Sequence, residues 1–306
     1  MRIRWTDERI DELRQVMENG HTWRGAARIL SDRWGHEVTF GQIENQGHRR
    51  GFGPSTLADL SLPDVRKYND CWQLEGDWLI CGDAHMPLTD WEFASQVVQV
   101  AKAHGIKRIL HAGDFFDFDR YSIYTKILPA AYPEADEEAA AYTMQLWGQW
   151  FDEFWFLLGN HDARLIKLLQ GNATQSQAEN VFKAHITGGY GDERVKVSLY
   201  GYATIDTPTG TWRITHPKSY GRNQLSVAVR LAHKHHQHVI SYHEHHDAIG
   251  FDDSGDYVVI NSGMLADSEK MAYVKAVDGT APVMKQSFVV LKDGRARVIH
   301  NHPALA

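Results

Sequence analysis

The chain has 306 residues, 32 Lys+Arg against 39 Asp+Glu, 43% hydrophobic residues, 18 histidines and two cysteines. So much apolar material excludes wholesale disorder, and Cys71 and Cys81 cannot staple a chain of this length. A net charge of -7 excludes a uniformly basic nucleic-acid coat but leaves room for a local basic face. No apolar run approaches the ~20 residues that span a bilayer, and the start, Met1-Arg2-Ile3-Arg4-Trp5, lacks the apolar core of a secretory leader. The expected setting is cytoplasmic, with no membrane partner.

Residues 1–55 hold nine arginines, eight acids and no lysine. Thr6 is placed to cap a helix carrying Ile10, Leu13, Val16 and Met17 at helical spacing, closed by Asn19-Gly20. Thr22 opens a second helix, with Ala26, Ala27, Ile29 and Leu30 on one side and Trp34-Gly35 at its end. Thr39 starts a third, running through Ile43 to His48 and followed by Arg49, Arg50 and Gly51. On Trp5, the second helix, and Ile43 with Arg49-Arg50, this segment resembles small Trp-containing helix-turn-helix domains of the Myb-like or phage-regulator type. The resemblance implies a third helix meeting a DNA groove, with Arg33, Arg49 and Arg50 on phosphates. A three-helix module for protein contacts or oligomerisation is the alternative. Gly and Pro punctuation predicts a linker over 56–70 and a second domain over 71–306.

In that second domain short apolar runs alternate with helices. Trp78-Leu79-Ile80-Cys81 reads as a buried strand ending at Gly82-Asp83-Ala84-His85, followed by a helix from about Asp90 to His104. Arg108 to His111 is the next strand, ending at Gly113-Asp114-Phe115-Phe116-Asp117, before a helix from about Glu134 to Phe151. Trp155 to Leu158 is a third, ending at Gly159-Asn160-His161-Asp162. Strand–helix–strand order implies parallel strands with right-handed crossovers. The stretch from Gly171 to Gly191 has little periodicity and reads as a loop or cap. Val195–Leu199 and Trp212–Thr215 read as strands flanking a Pro-Thr-Gly turn, the latter ending at His216. A helix over about Gln224 to His235 precedes a strand ending at His243-Glu244-His245; Val258–Ile260 and a final hairpin around Lys292-Asp293-Gly294 follow.

Asp83-x-His85, Gly113-Asp114-x-x-Asp117, Gly159-Asn160-His161-Asp162, His216 and His243-x-His245 follow apolar strands in this order. Each is weak alone. Together, in type, order and spacing, they resemble the calcineurin-like metallophosphoesterase superfamily over most of residues 76–263. The fold that this implies is a four-layer α/β/β/α sandwich of mixed sheets, behind a small all-α domain.

The resemblance further implies a dinuclear hydrolase in which Asp83, His85 and His245 hold one divalent ion and Asn160, His216 and His243 the other, while Asp114 bridges both. A bridging hydroxide would attack phosphorus. His161 would protonate the leaving oxygen, with Asp117 orienting it, and Asp162 would be structural. His185 and His233 are the rivals of His216. The mixed nitrogen and oxygen donors suit manganese first and admit Fe, Zn, Ni or Co.

Two positions depart from the family pattern. Phe118 stands where the protein Ser/Thr phosphatase branch has a phosphate-gripping arginine, with Arg120 two residues on, which favours phosphodiesterase or nuclease chemistry. Tyr242 stands where a glycine usually leads the last motif. The expected function is phosphodiester hydrolysis, with DNA recruited by the first domain as candidate substrate. The alternatives are a phosphatase or phosphodiesterase of a nucleotide or other small phosphoester, and a DNA-binding regulator with an inactive phosphoesterase domain.

Overall fold

The structure, a computed structural model, describes residues 3–53, 71–123, 132, 134–169, 172–189, 191–221, 223–271 and 283–301. The expected linker at 56–70 lies outside these residues. The chain divides into two compact units, Met1–Asn69 and Asp70–Ala306.

The first unit holds α1 (Asp7–Glu18), α2 (Trp23–Trp34) and α3 (Phe40–Arg50). Each starts where a threonine oxygen accepts a backbone N–H of the first turn: Thr6 from Arg9, Thr22 from Gly25, Thr39 from Gln42. Leu13, Val16, Met17, Trp23, Ala26, Leu30, Val38 and Ile43 form one buried cluster. Trp23 packs so closely on α3 that a Cβ on Gly47 would lie 2.0 Å from its ring. This contact sets how near α2 and α3 approach.

The second unit contains two six-stranded sheets. One runs β12 (Arg295–His300), β11 (Ser287–Lys292), β2 (Trp78–Cys81), β3 (Arg108–His111), β4 (Glu153–Leu157), β5 (Val195–Ser198). Its β2, β3, β4 and β5 are parallel, with Leu79 opposite Ile109, Ile109 opposite Phe154, and Phe154 opposite Val195. The other runs β1 (Gln73–Glu75), β6 (Tyr202–Thr207), β7 (Gly210–Thr215), β8 (His238–Ser241), β10 (Val258–Asn261), β9 (Ala248–Phe251) and mixes parallel with antiparallel pairs.

Between the sheets lies a core of Trp78, Ile80, Leu110, Leu157, Ile205, Trp212, Ile214, Ile240, Tyr242 and Ile260. Each such side chain contributes about 1.5–3 kcal/mol by leaving water. The outer face of the first sheet is covered by α4 (Trp91–His104), α5 (Ala135–Trp147) and α7 (Gln175–Thr187). The outer face of the second is covered by α8 (Ser226–His235), through Ala228 and Ala232 on Val239 and Val259. This is the expected four-layer order.

Two expectations fail. Residues within 171–191 form helix α7, not a loop: Thr174 makes a full capping box with Gln177, and Ala178, Phe182 and Ile186 are buried on one face. Three apolar residues at i, i+4 and i+8 among polar ones are a thin signal, and packing against α5 and β5 supplies the rest. The Pro-Thr-Gly turn does not join Val195–Leu199 to Trp212–Thr215 either. It joins β6 to β7, with Thr207 opposite Gly210, while β5 belongs to the other sheet.

Gly47→Ala should strain the α2–α3 contact by about 1–3 kcal/mol, since neither the Trp23 ring nor the α3 backbone can easily retreat. Amide exchange of α2 and α3 is expected to accelerate while that of β2, β3 and β4 stays as in the parent chain. Unchanged α2 and α3 rates would contradict this packing.

Candidate metal centre

The segments just beyond β2, β3, β4, β7 and β8 converge at one end of the sandwich, where α/β sheets place their sites. Loop follows loop there: Asp83 N–H donates to Gly113 O at 3.0 Å, His85 N–H to Asp114 O at 3.0 Å, and Met86 N–H to Phe115 O at 2.9 Å. Asp83, His85, Asp114, His243 and His245 all have φ between 46° and 86°. They are five of the eight described non-glycine residues in the left-handed region, where each costs on the order of 1–3 kcal/mol. Strain gathered on the polar residues of one site marks a geometry held for its chemistry.

Close backbone approach makes this packing possible. A Cβ on Gly159 would stand 2.1 Å from Asp114 Oδ1 and 2.2 Å from its amide nitrogen. With hydrogen there instead, the β4 loop lies against Asp114, whose Oδ1 accepts the His161 N–H at 2.7 Å. On the opposite side Asp83 Oδ2 accepts the His243 N–H at 2.9 Å.

Two donor groups result. In the first, Asp83 Oδ1 lies 3.2 Å from His245 Nε2 and 3.8 Å from His85 Nε2, and the two Nε2 atoms are 3.2 Å apart. In the second, His216 Nε2 lies 3.2 Å from Asp114 Oδ2 and 3.1 Å from Asn160 Oδ1, and His243 joins Asp114 and His216 within 4.8 Å. Asp114 Oδ2 is also 4.0 Å from His85 Nε2, so one carboxylate oxygen faces both groups. His85 Nδ1 faces Asp117 Oδ1 at 3.1 Å, and His216 Nδ1 faces Ala112 O at 2.9 Å. Those contacts use the Nδ1 protons and point both Nε2 atoms inward.

Carboxylates, an amide oxygen and imidazole nitrogens thus converge on two small volumes, and every one of them can donate a lone pair once the imidazoles are deprotonated. The set fits divalent cations. Its electrostatics follow from the same crowding. Burial opposes a charge on His85 and His216, yet the surrounding aspartates override it and raise their pKa values to about 10 and about 9. Burial likewise favours neutral Asp83 and Asp114, but the imidazoles hold both well below the ordinary carboxylate range.

The structure brings together Asp83, His85, Asp114, Asn160, His216, His243 and His245, together with His161 and Asp117. Asp117 Oδ1 lies 3.1 Å from both His85 Nδ1 and His161 Nδ1, so one carboxylate orients two rings packed edge to face. Asp162 is buried and accepts from Phe116 N–H and Gly159 N–H at 3.0 and 2.9 Å, tying two loops together. His185 instead meets Glu137 at 2.8 Å, and His233 is exposed on α8. Of the expected nucleic-acid contacts, Arg33, Arg49 and Arg50 are all exposed, the last two at the end of α3 and Arg33 at 3.7 Å from Glu12 within its own unit.

The departures also resolve physically. Phe118 is fully buried and stacks on Phe116. Arg120 is turned away and donates to Glu137 at 2.9 Å. Tyr242 has no left-handed φ to maintain; it fills the inter-sheet core and donates its hydroxyl to Ile80 O at 2.9 Å. Space for its ring comes from Gly82, where a Cβ would lie 2.7 Å away.

Two residues escaped sequence reasoning. Arg164 donates to Asp117 O at 2.8 Å and reaches His161 Nε2 at 3.3 Å. Its position three residues after His161, on α6 (Asp162–Leu169), was an available signal. Glu244 is buried, accepts from Gly221 N–H and Asn261 Nδ2, and so anchors the loop after His216; its place between His243 and His245 was an available signal.

Tyr242→Gly, which restores the usual residue, should lower stability by roughly 3–5 kcal/mol through the cavity left between the sheets. Chemical denaturation measures this. A neutral or stabilising result would mean that Tyr242 is not part of the core.

Residues 78–266, more than half of the chain, match the sequence profile of the calcineurin-like phosphoesterase family. No curated protein matches the chain. Among solved structures, an archaeal phosphodiesterase is similar at 15% identity and TM-score 0.39, covering 73% of this chain and 99% of its own. Yfce, a phosphoesterase from E. coli, is similar at 12% identity and TM-score 0.40, covering 75% and 95%. A Vps29 single mutant from Entamoeba histolytica is similar at 11% identity and TM-score 0.36, covering 74% and 99%. With the profile match and the clustered donors taken together, the chain belongs to the calcineurin-like phosphoesterase family.

Proposed function

We propose that the protein is a dinuclear metal-dependent phosphodiesterase. The observation that carries this reading is Asp114, whose Oδ2 faces both donor groups at once. Asp83, His85 and His245 would hold one divalent cation, Asn160, His216 and His243 would hold the second, and Asp114 would serve both. Manganese is the first choice for this mixed nitrogen and oxygen set, with Fe, Zn, Ni or Co able to replace it. When bound, the pair supplies Lewis acidity, which acidifies water and takes up charge on phosphate oxygens.

The remaining work falls to this chain's own groups. Asp117, through its carboxylate and its backbone carbonyl, accepts the Nδ1 proton of His161 and fixes the ring, leaving Nε2 as the atom that takes up a proton and passes it to the leaving oxygen. A proton gained at Nε2 makes an imidazolium, which the Asp117 carboxylate stabilises. The same carboxylate fixes His85, so losing it disturbs a metal ligand and the acid together.

Asp114→Asn should reduce metal occupancy and activity together, because one bridging charge serves both ions. His161→Ala should lower turnover by about 10²–10⁴-fold with both metals retained. Elemental analysis beside hydrolysis of bis-p-nitrophenyl phosphate and of the monoester tests this. Loss of both ions from the His161 variant would overturn the acid role, and preference for the monoester would overturn the diesterase reading.

For the substrate we propose DNA, brought by residues 1–53. Arg49 and Arg50 are exposed at the C-terminus of α3 and can meet phosphates. The second reading is that the unit makes protein contacts and the substrate is a small phosphoester; the Arg33–Glu12 contact engages one of the three arginines expected on phosphates. Under the DNA reading, affinity falls steeply with salt, and Arg49→Ala with Arg50→Ala flattens that slope by up to about two. Salt-insensitive or absent DNA binding would leave the small phosphoester as substrate.

A further inference from the structure

We infer that Arg164 is the residue that grips the phosphoryl group being cleaved, replacing from α6 the arginine missing at Phe118. The inference rests on the phosphodiesterase reading and adds to it a substrate-binding residue.

Phe118 offers no charge, being fully buried in an aromatic stack. Nor does Arg120 serve, since its guanidinium is held by Glu137 at 2.9 Å over the Tyr121 ring. Arg164 is different. It is partly exposed, and its Nη1 donates to Asp117 O at 2.8 Å, which fixes the guanidinium plane. Its Nη2 lies 3.3 Å from His161 Nε2. An arginine can only donate, so in this contact Nε2 is the acceptor and the ring proton sits on Nδ1, towards Asp117. Nη2 therefore stands at the atom proposed to meet the leaving oxygen.

A phosphoryl oxygen within reach of His161 Nε2 is within reach of Nη2 as well, and an anionic oxygen is a stronger acceptor than a neutral imidazole. On substrate arrival the guanidinium keeps its Nη1 bond to Asp117 O and moves its Nη2 bond to the phosphate. No covalent step is involved. Arginine suits this role because it is always charged and its fork can hold a backbone carbonyl and an anion together. Arg164 and His161 would then meet the same phosphoryl group side by side.

The test uses the full manganese-loaded chain, with inorganic phosphate as probe. Phosphate binding is followed by calorimetry, its inhibition of bis-p-nitrophenyl phosphate hydrolysis by steady-state kinetics, and metal content by elemental analysis. Arg164→Ala should weaken phosphate binding and inhibition by roughly 10- to 100-fold with both metals retained. Arg164→Gln keeps a donor for Asp117 O without the charge, and should bind phosphate as poorly as the alanine variant. Arg164→Lys should fall between these and the parent. Parent-like phosphate affinity in the glutamine variant would mean that Arg164 only buttresses Asp117, and would overturn the inference. A parent chain that binds metal but neither binds phosphate nor cleaves the diester would sink the phosphodiesterase reading, and this inference with it.

Discussion

The second unit is organised around a convergence of carboxylates and imidazoles. Carboxylate oxygens of Asp83 and Asp114, the amide oxygen of Asn160 and the inward nitrogens of His85, His216 and His245 lie 3.1–4.0 Å apart. The negative charge gathered there must be met by positive charge, either protons on His85 and His216 or a bound cation. The fold holds the cluster by rigidity. Strand ends deliver each residue, left-handed backbone turns the side chains inward, and Gly159 lets a loop lie directly on Asp114.

A layer of committed hydrogen bonds surrounds the cluster. Asp117 orients His85 and His161, Ala112 O orients His216, and Asp162 ties the β3 and β4 loops through two backbone amides. Glu244 does the same for the loop after His216. These bonds decide which nitrogen of each ring points inward, and so the chemistry the cluster can perform. The inter-sheet core beneath holds the strand ends still. Tyr242 belongs to both levels: it precedes the last two histidines and buries its ring against Gly82.

Much of the site was legible because its residues fall in short motifs at strand ends. An apolar run of four ending in Gly-Asp or Gly-Asn-His fixes both the strand and what projects from its tip. His216 was harder, having no motif of its own, and what sets it apart from His185 and His233 is that β7 lies beside β8, whose end carries His243 and His245. Arg164 was passed over because an arginine on a short helix is ordinarily a solvated residue; its reach to Asp117 O appears only once α6 is placed. Helix α7 was misread because three buried apolar residues suffice when a neighbouring helix and strand supply the rest of the core.

Through the resemblance of its ordered motifs the sequence implied the sandwich class, and by itself it determined the identities, order and strand-end placement of the polar residues and the three capped helices of the first unit. It could do so because these depend on local patterns: period-two or helical spacing, capping residues and glycine punctuation. Only the tertiary structure decided which histidine met which aspartate, that Asp114 faces both groups, that Tyr242 is core, and where the arginines go. Those outcomes depend on contacts between residues dozens to more than a hundred positions apart, which the packing of two sheets fixes and no local pattern encodes.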